Sequence, residues 1–221
     1  MFNDSSSGRL AGPAPAAAGE GWSPGGRSGL LPVKIVIAGG FAVGKTTLVG
    51  AISEIAPLRT EEAMTTAGVG VDDSGAVSTK TTTTVAMDFG RITLEDGLLL
   101  YLSGTPGQQR FGFLGDDLIR GAIGAVVLVD TRRLADCFAA IDYFENRDVP
   151  FIVGVNCFNG SAAHDLSDVR EALAVSPHVP MVYCDARSRA SGKEVLVALL
   201  QEAIRRAAAR HSDRAPAPPG A

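Results

Sequence analysis

Gly39-Gly40-Phe41-Ala42-Val43-Gly44-Lys45-Thr46 sets glycines, one lysine and one hydroxyl in the spacing G-x-x-x-x-G-K-[ST]. Glycines let the backbone turn tightly enough for several N–H groups to converge on one phosphate, and Lys45 supplies the neutralising charge. The hydroxyl of Thr46 suits a Mg²⁺ ion that accompanies a polyphosphate. A glycine-rich turn with an incidental lysine is the alternative, and the flanks argue against it. Val33-Lys34-Ile35-Val36-Ile37-Ala38 reads as a short buried strand, and Thr47-Leu48-Val49-Gly50-Ala51-Ile52 spaces its large apolar residues as a helix does. Residues Gly39 to Thr47 are therefore expected to hold the phosphates of a nucleotide.

The elements that must position this loop alternate along the chain. Thr84–Leu94 and Leu98–Leu102 read as strands joined through Glu95-Asp96-Gly97, a hairpin signal. Ala122–Asp130, Phe151–Asn156 and Pro180–Cys184 are three further buried strands. Helical patterns cover about 108–120, 133–146, 165–174 and 192–210. Ser191 and Glu194 have capping-box spacing before the last helix, which buries Val195, Leu196, Leu199 and Ala203 and carries Arg205, Arg206 and Arg210 near its end. The expected fold is α/β, a doubly wound, mostly parallel six-stranded sheet with one antiparallel edge strand, of the phosphate-loop NTPase type. Ligands of such sheets bind beyond the carboxyl ends of the strands, so the loops there should carry the remaining chemistry.

Composition narrows the classes. A net charge of −4 over 221 residues, without a basic stripe, gives nucleic acid no footprint. The longest uncharged apolar run, Ala122 to Val129, is too short to span a bilayer. With no signal core, no glycine at position 2 and no C-terminal cysteine for prenylation, the expected compartment is the cytoplasm, with membrane contact only through partners. Three cysteines without metal-ligand spacing agree with a reducing compartment. Residues 1–32 and 211–221, rich in Gly, Ala, Ser and Pro, read as disordered tails around one domain at 33–210.

Four further segments, Thr-Val-Ala-Met-Asp-Phe-Gly (84–90), Gly-Thr-Pro-Gly-Gln (104–108), Asn-Cys-Phe-Asn (156–159) and Asp-Ala-Arg (185–187), follow the phosphate loop in order. Together they resemble the Ras-like small GTPase superfamily over about residues 33–208. The likeness is closest to the small GTPases of actinobacterial conservons and more distant to the gliding-motility GTPases. It implies a GTP/GDP switch with Mg²⁺, in which Thr46 and Thr84 complete the metal shell. The run Thr81–Thr84 leaves the register open by one, and the spacing to Asp88-Phe89 selects Thr84. Gly107 would offer its N–H to the γ-phosphate, and Gln108 would orient the attacking water. The superfamily's metal aspartate is replaced by Gly104, which implies weaker Mg²⁺ binding and slow turnover without a partner.

Base recognition is implied only in part. Asn156 would tie its loop to the phosphate loop, and Cys157 stands where a lysine would cover the base. Asn159 replaces a base-reading aspartate, which weakens guanine preference and leaves xanthine open. The backbone N–H of Ala186 would meet guanine O6, while Asp185 and Arg187 flank it, Arg187 over base or ribose. The resemblance implies bacterial signalling, with a roadblock-type regulator and a sensor-kinase complex as partners. Arg59, Lys80 and Arg110 are the cations near enough in sequence to be considered at the phosphate. Residues 56–83 suit an extra hairpin, a strand or a flap. A non-hydrolysing nucleotide-gated adaptor and a phosphate-loop ATPase or small kinase remain alternatives to the GTPase.

Overall fold

A computed structural model describes residues 30–65, 82–94, 97–106, 116–158, 160 and 162–213. Strand β1 (Leu31–Gly39) leads through the phosphate loop into helix α1 (Lys45–Ile52). Strands β2 (Leu58–Thr65), β3 (Thr82–Thr93) and β4 (Leu98–Gly104) follow, then β5 (Ala122–Val129). A 3₁₀ turn at Leu134–Cys137 opens into α2 (Phe138–Asn146), followed by β6 (Phe151–Asn156), α3 (Leu166–Leu173), β7 (Met181–Cys184) and α4 (Arg189–Asp213).

The strands form one sheet in the order β2-β3-β4-β1-β5-β6-β7. β1 pairs in parallel with β4 and β5, as β5 does with β6 and β6 with β7. β3 runs antiparallel to both of its neighbours. The expected mostly parallel α/β sheet with one antiparallel strand is present. Beyond the six strands expected, β2 adds a seventh from the stretch where an extra strand was one of the readings, and it places β3 one position inside the edge.

Alternation along the buried strands divides the core between two faces. Ile35, Ile37, Val126, Leu128 and Ile152 pack with Leu48 and Ile52 of α1 and with Val195 and Leu199 of α4. Val36, Ala38, Val127, Val129 and Val153 face the other way, onto Ile141 and Phe144 of α2 and Val169 and Leu173 of α3. Strands covered on both sides lose the polar alternation of a one-sided sheet, which is why Ala-Ile-Gly-Ala-Val-Val-Leu-Val reads as an unbroken apolar run. α4 lies close on α1 because residue 192 is glycine: a Cβ there would stand 2.3 Å from Ile52 Cγ2.

The domain reaches a little beyond 33–210 at both ends, since β1 begins at Leu31 and α4 runs to Asp213. The last helix also starts earlier than its capping-box signal suggested. Ser188 accepts the N–H of Ser191 at 3.3 Å, while the Ser191 hydroxyl accepts the N–H of Asp185 at 2.9 Å. The Ser191 oxygen thus holds the preceding loop, and Ser188 takes the place of the cap.

Candidate functional site at the carboxyl ends of the strands

The phosphate loop closes tightly against β5. Gly39 and Gly44 have φ of 130° and 107°, in the region that side chains disfavour. A Cβ at Gly39 would also meet the Leu128 carbonyl oxygen at 2.3 Å. Lys45 is buried, and its Nζ donates to the carbonyls of Gly39 at 2.9 Å and Gly40 at 2.5 Å. Burial pushes its pKa down to about 8, with the charge of Asp88 pulling in the opposite direction. The Leu48 N–H opens the helical ladder on Gly44 O, so the N–H groups before it have no partner within α1. With no acidic side chain in its first turn, the positive end of α1 is open to an anion. A phosphate would take over the ammonium now shared by two carbonyls.

Beside this cradle stands a carboxylate that the sequence reading passed over. The Thr46 hydroxyl donates to Asp88 Oδ2, which reaches it from β3. Asp88 lies opposite Gly104 in the antiparallel ladder, and a Cβ at 104 would stand 3.3 Å from Asp88 Cβ. Thr105 follows, fixed to the end of β1 by its N–H on Ile37 O at 2.9 Å. Its Oγ1 is buried without a hydrogen-bond partner among the described residues. Hydroxyl and carboxylate oxygens beside a phosphate loop fit a hard divalent cation such as Mg²⁺, with Thr46 and Asp88 the residues to hold it. The signal was available in the sequence: counting outward from the turn at 95–97 sets Asp88 across from Gly104.

The base-side loops meet through Asn156. Its Nδ2 donates to Val43 O at 2.8 Å, and its Oδ1 accepts the Ala186 N–H at 3.1 Å. One buried amide thus ties the phosphate loop to the loop after β7. The Ala186 N–H, expected to face a base oxygen, is held by Asn156 in this conformation. Arg187, expected over base or ribose, forks onto Asp185 at 3.0 and 3.1 Å. The Cys157 N–H donates to Cys184 O at 2.7 Å, which joins β6 to β7 beneath these loops. Burial pushes the Cys184 thiol up to about 11 and the Cys137 thiol to about 12, so neither is a thiolate at neutral pH.

Asp130 and Arg132 belong to no sequence motif, and Phe158 is the position of the Asn-Cys-Phe-Asn segment left without a role, yet the three assemble beside the same loop. Arg132 forks onto Asp130 at 2.8 Å through both nitrogens and lies over the Phe158 ring at 4.0 Å from its centroid. They line a cleft of about 130 Å³ together with Asn156 and Cys157.

Of the remaining expected residues, Phe41 and Ala42 form the exposed tip of the phosphate loop, and Thr47 is exposed on α1. Thr84 sits inside β3 with Ala63 opposite. Four residues of strand, about 13 Å, separate it from Asp88. Gly107, Gln108 and Asn159 lie outside the described residues, as do Lys80, Arg110, most of the 56–83 stretch and most of both tails. No helix among the described residues is long and apolar enough to cross a membrane.

Comparisons with known proteins bear on family and fold. A family model described as "conserved hypothetical ATP binding protein" matches residues 37–206. An uncharacterized protein of Methanocaldococcus jannaschii is 29% identical over 126 residues, covering 56% of this chain and 69% of that protein. Among solved structures, the cytosolic domain of the T. maritima FeoB iron transporter, in a GDP form, superposes with a TM-score of 0.56 at 17% identity. That match covers 79% of this chain and 64% of the other. The FeoB G-domain from Methanococcus jannaschii gives 0.51 at 14% identity, over 78% of this chain and 98% of that one. At these identities the structural likeness is one of fold, that of a phosphate-loop G-domain; the conservon and gliding-motility groups are not among these relatives.

Proposed function

The chain belongs to the family described as conserved hypothetical ATP binding proteins, and from that premise we propose that it is a nucleotide-gated switch. In this reading it binds a guanine nucleotide with Mg²⁺ and hydrolyses the triphosphate slowly unless a partner assists. The observation that carries it is the double role of Asn156, which joins the loop that cradles phosphate to the loop expected to read the base. A site wired in this way senses both ends of one nucleotide.

Guanine is favoured over adenine because Ala186 presents a backbone donor, suited to a carbonyl such as guanine O6 and unsuited to adenine's amine. That donor is released when the base takes the place of Asn156 Oδ1. Mg²⁺ would offset the charge of the β- and γ-phosphates, held through Thr46 and Asp88. Gln108 would orient water, and the Thr84 and Gly107 segments would order around the γ-phosphate. The resemblance adds signalling through a roadblock-type regulator and a sensor-kinase complex. The family description names ATP instead, which supports adenine as the second reading.

Single-turnover measurements with GTP, XTP and ATP, each with and without Mg²⁺, separate these readings. Tightest binding and slow, Mg²⁺-dependent hydrolysis are expected for GTP. Tighter ATP binding overturns the guanine assignment. Tighter XTP binding shifts base choice to Asn159, and Asn159→Asp should then restore GTP. Absence of turnover, with nucleotide affinity unchanged in Gln108→Leu, identifies a non-hydrolysing adaptor.

A further inference from the structure

We propose that Asp88, on antiparallel strand β3, is the carboxylate that serves the nucleotide-bound divalent cation, the task having passed across the ladder from position 104. The proposal rests on the nucleotide-binding reading above and assigns within that site a residue the motifs left without a role. Residues opposed in an antiparallel pair project from the same face of the sheet, so a carboxylate at 88 and one at 104 would compete for the same space. The packing shows the competition: a Cβ added at Gly104 would stand 3.3 Å from Asp88 Cβ and 3.6 Å from its Oδ2. The first distance is tighter than ordinary side-chain contact, and the second is ordinary van der Waals contact. Glycine at 104 is therefore what lets Asp88 occupy the site, and the metal acid is relocated, not lost.

The surroundings suit the assignment. Asp88 Oδ2 already accepts from the Thr46 hydroxyl, the phosphate loop's own oxygen donor for a cation. Thr105, next after Gly104, keeps a buried hydroxyl oxygen without a partner among the described residues. The carboxylate also sets a sign. Next to an anionic polyphosphate it repels the ligand when no cation is present and attracts the cation that accompanies it. Asp88 should therefore make nucleotide binding depend on Mg²⁺, beyond tying α1 to β3.

The test is the release rate of a fluorescent GDP analogue from the full chain, measured in MgCl₂ and in excess EDTA. In the wild type Mg²⁺ should slow release. In Asp88→Asn that slowing should shrink by about tenfold or more, the usual scale for losing a side chain that supports a bound metal. In EDTA the same variant should hold the nucleotide more tightly than the wild type. The exchange variant Asp88→Gly/Gly104→Asp, which keeps one carboxylate at the crossing, should recover most of the Mg²⁺ effect. Gly104→Asp alone should bind worse, through crowding and like charge. An Asp88→Asn protein that melts as the wild type does and shows the full Mg²⁺ effect overturns the assignment and leaves the switch reading standing. If Asp88→Asn does not fold, a folded exchange variant without a Mg²⁺ effect overturns it equally. A wild type that holds no guanine or adenine nucleotide overturns the switch reading and this assignment together.

Discussion

Asn156 uses both ends of one amide on different loops, and it is itself buried. Replacing it by alanine leaves the Val43 carbonyl without its partner in a buried place, with nucleotide bound as without, while the Ala186 N–H passes to the base on binding. An unpaired buried carbonyl costs about 1–3 kcal/mol. Because the loops pack on a sheet that does not depend on Asn156, the empty phosphate loop can relax away from β6 in the variant, and binding must then restore its position. Asn156→Ala is expected to weaken guanine-nucleotide affinity by about ten- to a hundredfold, on the scale of 1.4 kcal/mol per factor of ten. Equilibrium titration checks this, and an unchanged affinity would show that the tie does not organise the site. Asn156 was readable in the sequence because its role follows from a short motif at the end of a buried strand. Asp88 was not read as chemistry, since its meaning comes from the residue across the ladder. The engagement of the Ala186 N–H could not be read either: nothing in Asp-Ala-Arg says that a side chain thirty positions earlier in the chain will accept that bond.

At the scale of elements, α4 is the brace for the sheet, and its polar end is as organised as its apolar face. Glu202 is 3% exposed and receives Arg205 at 2.8 and 2.7 Å and Arg206 at 2.7 Å. Arg206 and Arg210 continue to Asp148, in the turn that follows α2. The three arginines are legible as charge at a helix C-terminus. The buried acid among them is not, because Glu202 follows Leu199 at the spacing of an ordinary core position. Hydrogen bonds from Arg205, opposed by burial and assisted by Arg206, hold the Glu202 carboxyl below its ordinary value of 4.5. A depressed carboxyl pKa contributes stability that is present above the unfolded value and is lost as pH falls through the folded one. Glu202→Gln should therefore lower unfolding stability by about 1–3 kcal/mol at neutral pH, the scale of hydrogen bonds to charged groups. The gap between variant and wild type should close as pH falls below 4.5. Denaturant titrations at neutral and acid pH test both halves. A gap that stays constant with pH would assign the loss to packing alone.

Across the whole molecule, the phosphate loop divides the sheet into the half with β3 and β4 and the half with β6 and β7. β3 is clamped to both ends of α1. Asp88 meets Thr46 at the N-terminal end, while at the C-terminal end Arg91 N–H donates to Ser53 Oγ at 3.1 Å and Glu54 N–H donates to Arg91 O at 2.7 Å. The second tie is backed by packing, since a Cβ at Gly90 would stand 2.9 Å from Val49 Cγ1. A cation and phosphate entering at Thr46 must rearrange the first tie while the second holds, so the response should travel along β3 toward Thr84 and its partner strand β2. In the opposite half, β6 and β7 meet the phosphate loop through the amide of Asn156 and the packing of Cys184 and Ala186 on Val43, and α3 packs on the far face with Val153 and Val155. Hydrogen exchange with and without GDP and Mg²⁺ is expected to show added protection in the phosphate loop, α1, β3 and β2. Protection in α3 should change only by the uniform increment that any ligand gives through global stability. Asp88→Asn should keep the gain in the phosphate loop and lose it in β3 and β2. If protection rises equally in both halves, β3 is a passive member of the sheet, and the 84–88 segment does not transmit the state of the nucleotide.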